Sequence, residues 1–190
     1  MNTQKPVIIL LGPQGSGKGT QGKRLAEKLG IPYLETGQLL RDEVASGSEQ
    51  GKYLSSIIDK GQLLSDNDIN SFMKGKVEAA VQSGQGFALD GYPRRIGQAE
   101  FIDPVAKPTH VLLIEIPDEE SVSRLLLRAE KEGRVDDTRE KILYRLEQYH
   151  TDTEPLIGYY AGQGILHRID GMPDIEAVWQ AVEKIFNASS

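Results

Sequence analysis

A glycine-rich stretch near the start of the chain carries residues that can bind phosphate. Residues 12–20 read GPQGSGKGT. Glycines allow the backbone to curl so that successive N–H groups point at phosphate oxygens, and the ammonium of Lys18 adds a charge that reaches the outer phosphates of a nucleotide. The usual pattern has Ser or Thr directly after this lysine, whereas here Gly19 stands there and the hydroxyl comes at Thr20. A chance glycine-rich turn is the alternative, but an apolar run before the stretch and a helical pattern after it favour a phosphate-binding loop.

A second group of candidates follows the apolar segment 87–89. It begins with Asp90 and continues as Gly91-Tyr92-Pro93-Arg94-Arg95. In enzymes that handle nucleotide phosphates, an acid at the end of a strand holds Mg²⁺ directly or through water, although such an acid is also a common turn cap. Ligands of open α/β sheets bind at the carboxyl ends of the strands. The position therefore favours a functional role for at least one of the two arginines over a solvated loop.

Arginines at six positions form the third group of candidates. Scattered arginines are usually surface residues. Phosphoryl transfer, however, needs several cations, because the transferred group carries charge on three oxygens and a phosphate acceptor is also an anion. Arginine suits this task because it is always charged and presents a planar fork to phosphate. The six are Arg41, Arg94, Arg124, Arg128, Arg134 and Arg145.

The composition is that of an ordinary globular domain. The chain has 190 residues, of which 38% are hydrophobic and 26% are charged. No apolar run approaches the roughly 20 residues of a membrane span, and the N-terminal residues contain no signal-peptide core. The absence of cysteine excludes disulfides and thiolate zinc sites and fits a cytoplasmic protein. The net charge of −6 argues against nucleic acid as a partner.

Apolar and helical patterns alternate along the chain. Strands are predicted at 7–11, 32–34, 87–90, 111–116 and 165–169. Helices are predicted at 18–29, 38–45, 49–60, 65–83, 96–102, 117–130, 138–150, 155–161 and 174–186. This alternation indicates an α/β fold, in which a doubly wound, five-stranded parallel sheet has helices on both faces.

These motifs, taken in order, resemble the nucleoside monophosphate kinases. The displaced hydroxyl at Thr20 is that family's own variant of the phosphate loop. The family's further motifs follow in its order and cover the whole chain, as TGxLLR at 36–41, GQL at 61–63, DGYPR at 90–94 with Gln98, and GRVDD at 133–137. Within the family, the sequence is most similar to the adenylate kinases of the short-lid form.

The resemblance implies a single domain with two attached segments. The P-loop kinase domain would span residues 1–190, with its core formed by 1–34, 65–126 and 138–190. A helical insertion that binds the nucleoside monophosphate would occupy 35–64, and a short lid would occupy 127–137. Because the lid is short, the zinc that some long-lid members bind is not expected.

The reaction implied by the resemblance is ATP + AMP ⇌ 2 ADP with Mg²⁺, and the family relationship also implies a monomer. The composition adds the expectation of a cytoplasmic protein that binds neither nucleic acid nor a membrane. Arg124 would stack on the adenine of ATP, and the loop around Pro173 would touch the same base. The ATP phosphates would be held by Gly15, Ser16, Gly17, Lys18, Gly19 and Thr20.

On the acceptor side, the resemblance implies that Arg41 and Arg94 grip the phosphate of AMP and that Gln98 reads its base. The backbone at Gln62, Leu63 and Leu64 would help, and the pocket would also include Thr36, Gly91, Tyr92 and Pro93. Arg128, Arg134 and Arg145 would gather on the transferred phosphoryl group, the last two also touching AMP. Asp90 would order Mg²⁺ through water.

Two alternatives stay open at this point. One is a UMP/CMP kinase of the same family; Thr36 and Gln98 favour AMP over pyrimidine monophosphates. The other is a nucleotide-binding sensor or switch without transfer, although the chain has no Asn-Lys-x-Asp guanine signature and a sensor would not need six arginines. Gln38 and the pair Leu64-Ser65 depart from the family's usual Asp and Val-Pro.

Overall fold

One parallel sheet of five strands organises the chain. The computed structural model describes residues 5–58, 64–132 and 138–187. The strand order is β2-β3-β1-β4-β5, with β1 at Val7–Leu11, β2 at Tyr33–Glu35, β3 at Phe87–Asp90, β4 at His110–Glu115 and β5 at Leu166–Asp170. Every strand lies within one residue of its predicted bounds, and the doubly wound parallel sheet is confirmed.

Helices connect the strands and cover both faces of the sheet. They are α1 (Lys18–Leu29), α2 (Thr36–Ser46), α3 (Glu49–Ile58), α4 (Asp66–Gln82), α5 (Ile96–Ile102), α6 (Asp118–Glu132), α7 (Arg139–Gln148), α8 (Pro155–Ala161) and α9 (Ile175–Asn187). None of these helices, within the described ranges, is both long and apolar enough to cross a lipid bilayer.

Two helix ends differ from the sequence prediction for identifiable reasons. Helix α2 begins at Thr36 rather than at 38, and the Thr36 hydroxyl donates to the backbone oxygen of Asp90 at 3.1 Å, a contact that sequence alone does not reveal. Helix α7 ends at Gln148, and a π-helical turn, Tyr149–Thr153, leads directly into α8. The proline at position 155 has no N–H for the helical ladder, and widened turns are one way in which a helix accommodates such a loss.

The alternation of side chains along β1 builds two hydrophobic layers, because successive residues of a strand face opposite sides of the sheet. Val7, Ile9 and Leu11 join the layer formed with α4, α5 and α8. Ile8 and Leu10 join the layer formed with α1 and α9. All five side chains are buried, which explains why the strand reads as a continuous apolar run.

Helices α1 and α9 pack against each other around Trp179, the one tryptophan of the chain. The guanidinium of Arg24 lies 4.5 Å from the Trp179 ring centre and makes two hydrogen bonds to Glu176, at 2.5 and 3.0 Å. Lys28 pairs with Glu183 at 2.6 Å. Exposed ion pairs contribute below about 1 kcal/mol each, so we attribute most of the stability of this contact to the burial of Trp179.

The strand order places the candidate residues at one edge of the sheet. Strand β1 lies between β3 and β4, and Leu10 is in register with Asp90. Strands β3 and β2 lie on one side of β1, whereas β4 and β5 lie on the other side. The strand order therefore reverses at β1, next to the loop that follows it, and ligands of open α/β sheets bind at such a point.

Candidate active site

The loop between β1 and α1 has a shape that only glycine permits at its first position. Gly12 has a φ of 136°, and a Cβ added there would lie 2.3 Å from the backbone oxygen of Ile114. Gly15 and Gly17 also have positive φ. The loop therefore curls tightly against β4 and leads directly into the first turn of α1, whose N-terminus favours anions.

Two polar side chains of this segment, Lys18 and Ser16, can contribute to ligand binding. The Lys18 ammonium donates to the backbone oxygen of Pro13 at 3.1 Å, which folds the side chain back over the loop. Burial lowers the pKa of Lys18, and the carboxylate of Asp90 opposes that effect. The Ser16 hydroxyl is buried and has no hydrogen-bond partner among the described residues. Lys18 and Ser16 thus offer polar groups to an anionic ligand.

Asp90 is held beside the start of α1 by contacts from β2. The Tyr33 hydroxyl donates to Asp90 Oδ2 at 2.5 Å. Burial raises the pKa of Tyr33, and the neighbouring Asp90 charge raises it further, so the phenol stays protonated. A Cβ added to Gly19 would lie 3.5 Å from the same carboxylate oxygen. The absence of a side chain after Lys18 therefore keeps the space next to Asp90 open.

The turn after β3 orients Arg94 and Gln98 toward each other. The Tyr92–Pro93 peptide bond is cis. Arg94 Nε donates to the Gly91 backbone oxygen at 2.9 Å, and the Arg94 backbone N–H donates to Gln98 Oε1 at 2.8 Å. Partial loss of hydration lowers the pKa of the Arg94 guanidinium, and the nearby charge of Arg145 lowers it further. The carboxylate of Asp90 opposes both effects. Arg94 thus belongs to one electrostatic cluster with Asp90 and Arg145.

Two cavities meet at the phosphate loop. The first, of about 730 Å³, is lined by loop residues, α4, the turn after β3 and α7, and its predicted site residues are Lys18, Leu64, Gly91, Pro93, Arg94, Gln98 and Arg145. The second, of about 760 Å³, lies on the other side of the loop, and its predicted site residues are Gly15, Ser16, Gly17, Thr20, Arg124 and Pro173. Most residues predicted for ATP thus line the second cavity and several predicted for AMP line the first, whereas Lys18, which is predicted for ATP, lines the first.

Other predicted residues do not line either cavity. Thr36, Tyr92 and Asp90 are buried. Arg41 is exposed on α2, where it donates to Gln38 Oε1 at 2.8 Å and lies 3.7 Å from a Glu35 carboxylate oxygen. Gln38, which departs from the family pattern, thus holds Arg41.

Three predicted residues, Gln62, Leu63 and Arg134, lie outside the described residues. The described part of the predicted lid, residues 127–132, is the end of α6. The described part of the predicted insertion is residues 35–58, which contain α2 and α3, together with Leu64.

Arginines of α6 and α7 also lie close to the phosphate loop. Arg124 lies 3.5 Å from the Gly15 backbone oxygen and makes a 2.6 Å hydrogen bond to Glu120. Arg145 lies 3.4 Å from Gln14 Oε1. The charge of Arg128 contributes to the lowered pKa of Lys18, so it too lies close to the loop.

Several neighbours of the site gave no signal in the sequence. Tyr33 contacts Asp90 only because β2 pairs with β3 in the sheet. Asp66 lines the first cavity and accepts a 2.8 Å hydrogen bond from Gln98 Nε2. It stands in the first turn of α4, where Ser65 and Asp68 form a reciprocal capping box. The sequence SDND at 65–68 is typical of a helix start, but no local sequence pattern predicts that Asp66 contacts Gln98.

The metal-binding capacity of the protein side chains is limited. Over residues 5–58, 64–132 and 138–187, no three His, Asp or Glu side chains come close enough to hold a metal ion. Asp90 can supply a carboxylate oxygen beside the phosphate loop. A magnesium ion that keeps most of its waters and binds substrate phosphates needs only one or two protein carboxylates, and Asp90 fits that requirement.

Comparison with known proteins agrees with this arrangement. A family model described as adenylate kinase matches residues 10–165. The chain is 41% identical to adenylate kinase isoenzyme 1 of Gallus gallus over 187 residues, which covers 96% of each chain. It is 42% identical to an adenylate kinase of Thermus thermophilus, over 92% of this chain and 94% of that one, and 41% identical to isoenzyme 1 of Homo sapiens, over 93% and 91%. The chain therefore belongs to the adenylate kinase family.

Proposed function

We propose that the protein catalyses the reversible transfer of the terminal phosphoryl group of ATP to AMP, which yields two molecules of ADP. The observation that carries this proposal is the pair of cavities on either side of one phosphate loop, with Lys18, Arg94 and Arg145 lining the same cavity. Two anionic substrates can bind there with their phosphates facing each other across a cluster of cations. Relatives named adenylate kinase, at about 41–42% identity over nearly the whole chain, support the same reaction.

ATP would occupy the second cavity. Its phosphates would be held by the loop, through the backbone N–H groups, the buried Ser16 hydroxyl and Lys18, which lines the adjoining first cavity. Its adenine would lie between Arg124 and the segment around Pro173, which line that cavity together. Arginine stacks well on aromatic rings because its guanidinium is planar and weakly hydrated.

AMP would occupy the first cavity. Arg94, with Arg41 from α2, would bind its phosphate, and Gln98 would contact its base. Thr36, Gly91, Tyr92 and Pro93 would shape this pocket from behind, and the backbone of residues 62–64 would complete it. The acceptor is thus held mainly by side chains of α2, α5 and the turn after β3.

In the proposed transfer, an oxygen of the AMP phosphate attacks the γ-phosphorus of ATP in line, and the bond between that phosphorus and the oxygen bridging to the β-phosphate breaks. The ADP that leaves keeps the electron pair of that bond. Arg128, Arg134 and Arg145 would neutralise charge on the transferred group. Mg²⁺, when bound with ATP, would supply further neutralisation of phosphate charge, and Asp90 would hold it through water.

Water competes with AMP as the acceptor, so the site should close before transfer. We propose that the insertion, residues 35–64, and the short lid, residues 127–137, move toward the phosphate loop when both nucleotides are bound. Lids of this kind often limit turnover, and the adenylate kinase lid is a known example. Closure would bring Arg41, exposed on α2 in the present arrangement, nearer to the acceptor phosphate.

We also propose that the enzyme works as a monomer in the cytoplasm and does not bind nucleic acid. Supporting this are the lack of cysteine and the net charge of −6, which repels polyanions except where arginines cluster locally. Light scattering at increasing protein concentration tests the oligomeric state. A mass that rises to twice the value of the chain would contradict the proposal.

An assay that couples ADP formation to an optical signal tests the main proposal, with AMP, dAMP, UMP and CMP as acceptors. We expect AMP to be the best acceptor; faster turnover of UMP would indicate a UMP/CMP kinase. Lys18→Met should lower turnover by about 10²–10³-fold, because it removes a preorganised charge. Lys74→Met, which removes an exposed lysine of α4, is the matched control. If the protein bound ATP but formed no ADP from ATP and AMP, the proposed transfer would be wrong, and a nucleotide sensor without transfer would be the remaining alternative.

A further inference from the structure

The side chain that we place against the acceptor base, Gln98, is held in one orientation by two different partners. Its Oε1 accepts the Arg94 backbone N–H at 2.8 Å, and its Nε2 donates to Asp66 Oδ1 at 2.8 Å. Gln98 is only 6% exposed, yet it lines the first cavity. A flipped amide would place its oxygen against the Asp66 carboxylate and its N–H against the N–H of Arg94. Both contacts therefore favour the same orientation.

Asp66 is itself fixed from the opposite side. Arg95 Nη1 donates to both carboxylate oxygens of Asp66, at 3.0 and 3.1 Å. Arg95 Nη2 donates to Asp152 in the π-helical turn, at 2.7 Å. The capping box of Ser65 and Asp68 fixes the helical turn on which Asp66 stands. The carboxylate is thus held rigidly beside Gln98.

A fixed amide can distinguish between two arrangements of hydrogen-bonding groups on a base. After its two protein contacts, Gln98 keeps one N–H to donate and one oxygen lone pair to accept with. Adenine offers an acceptor ring nitrogen next to a donor amino group, a pair that Asn and Gln amides recognise bidentately. A base with a keto oxygen next to a ring N–H presents the reverse order. A freely flipping amide would accept both orders, whereas a fixed amide accepts one.

We propose that Asp66 is a specificity-determining positioning residue, which selects an amino-bearing purine as acceptor by fixing the orientation of the Gln98 amide. This inference rests on the proposed function, since it assumes that the acceptor base lies against Gln98. Asp66 acts through Gln98 and does not take part in phosphoryl transfer. Its loss should therefore change which base is accepted more than it changes the rate of transfer.

AMP and IMP form the most direct pair of acceptors for a test, because both are purine nucleotides and differ at the edge where donor and acceptor are reversed. The steady-state kcat and KM would be measured with ATP as donor for wild type, Asp66→Asn, Gln98→Ala and the double variant. Wild type should prefer AMP. Asp66→Asn should lower the AMP-to-IMP ratio of kcat/KM by about 10-fold, mainly through KM, because it removes a charge-assisted hydrogen bond.

The double variant distinguishes positioning from a general structural effect. If Asp66 acts through Gln98, then Asp66→Asn in the Gln98→Ala background should change the ratio by less than about 2-fold. Glu100→Gln, which removes the same charge from the exposed side of α5, is the control and should leave the ratio unchanged. Asp66→Ser is measured in parallel and should change the ratio in the same direction, so that the test does not depend on the folding of one variant.

Three results would overturn the inference: a wild type that uses IMP as well as AMP, an unchanged ratio in both folded Asp66 variants, or an equal loss in the presence and absence of Gln98. Failure of the proposed function gives a different result, because the wild type would then make no ADP from ATP and AMP.

Discussion

The two cavities beside the phosphate loop are built from different parts of the chain. The second cavity is lined mostly by two short segments, at 15–21 and 171–178, with Arg124 from α6. The first draws its lining from β1, the phosphate loop, the end of α3, α4, the turn after β3, α5, α7 and the π-helical turn. The proposed donor cavity thus consists mainly of a glycine-rich loop and one other short segment, whereas the proposed acceptor cavity is assembled from side chains of many elements.

This difference indicates which features of the chain determine phosphate binding at the loop and which determine acceptor binding. A phosphate loop binds through N–H groups that every residue except proline has, so its requirements are small residues and a defined backbone path. The acceptor pocket depends on pairs such as Arg95 with Asp152, 57 residues apart, and Gln98 with Asp66, 32 residues apart. We therefore expect donor-side changes to damage folding and activity together, and acceptor-side changes to alter selectivity or rate with little loss of stability.

The largest effect is expected for Gly12→Ala. The added Cβ would meet the backbone oxygen of Ile114 at 2.3 Å and would stand at a φ that L residues rarely adopt. We expect about 2–4 kcal/mol lower free energy of unfolding in urea and a loss of most turnover. Gly97→Ala, in a helical position where the Cβ meets nothing within 4 Å, should be neutral or stabilising by up to about 1 kcal/mol. Normal stability and turnover in Gly12→Ala would contradict the claim that ATP binding depends on a backbone conformation that only glycine permits at this position.

On the acceptor side, Arg94→Ala should separate activity from stability. The variant keeps the backbone N–H that binds Gln98 and loses the Nε contact to the Gly91 oxygen. We expect kcat/KM for AMP to fall by about 10²–10³-fold, with a melting temperature within a few degrees of wild type. Arg139→Ala, at the exposed start of α7, is the control. A large drop in melting temperature with retained turnover would show that Arg94 is structural.

A smaller effect is expected from Tyr33→Phe, which removes the hydrogen bond to Asp90 Oδ2 and keeps the ring. Groups that orient a metal-binding carboxylate commonly affect metal affinity by about 10-fold or more. We expect the Mg²⁺ concentration that gives half-maximal rate to rise about 10-fold, with a smaller change in ATP binding measured without metal. Tyr53→Phe removes a similar Tyr–Asp contact on the surface, to Asp68 at 2.9 Å, and should change neither quantity.

The smallest effect concerns the π-helical turn that supports the acceptor side through Asp152. In that turn, hydrogen bonds from His150 to Glu154 and Asp118 raise the pKa of its imidazole. A group whose pKa is higher in the folded state than in the unfolded state stabilises the folded protein. This contribution is complete at pH values below the unfolded-state pKa of about 6.5, and it is lost as the pH rises through the folded-state pKa. Because the side chain is exposed, we expect below about 1 kcal/mol.

His150→Gln tests this contribution through urea unfolding at several pH values. The stability difference between wild type and variant should be present at about pH 6 and should shrink toward about pH 8.5. A difference that is constant over this range would show that the imidazole charge does not stabilise the turn. Burial lowers the pKa of His110 and His167, so their contributions to the free energy of unfolding change with pH in the opposite direction. Subtracting the stability of the variant from that of wild type at each pH removes these contributions.

The strands and the phosphate loop could be predicted from the sequence because their signals are local. A run such as Val7–Leu11 is apolar at every position since both faces of β1 are buried, and Gly30 ends α1 with a φ of 62° as its position predicts. What local patterns cannot give is the contact partner of a side chain on another element.

Several residues in and around the site show this limit. Arg95 stands out in the sequence as one of two adjacent arginines in a favourable turn, but its partners Asp66 and Asp152 lie on α4 and in the π-helical turn. Tyr33 reads as an ordinary strand residue until β2 is placed beside β3. The start of α2 at Thr36 depends on a hydrogen bond to the end of β3. Each of these features requires the folded sheet before it exists.

The contact of α1 with α9 gives the molecule one built-in optical probe. Trp179 is the single tryptophan in the chain, so its fluorescence reports one place without any label. That place is next to Arg24 on the helix that starts at the phosphate loop, and the partner of Arg24, Glu176, lines the second cavity. Emission should therefore follow events on the donor side and the unfolding of that face of the sheet, while the acceptor pocket stays silent in tryptophan fluorescence.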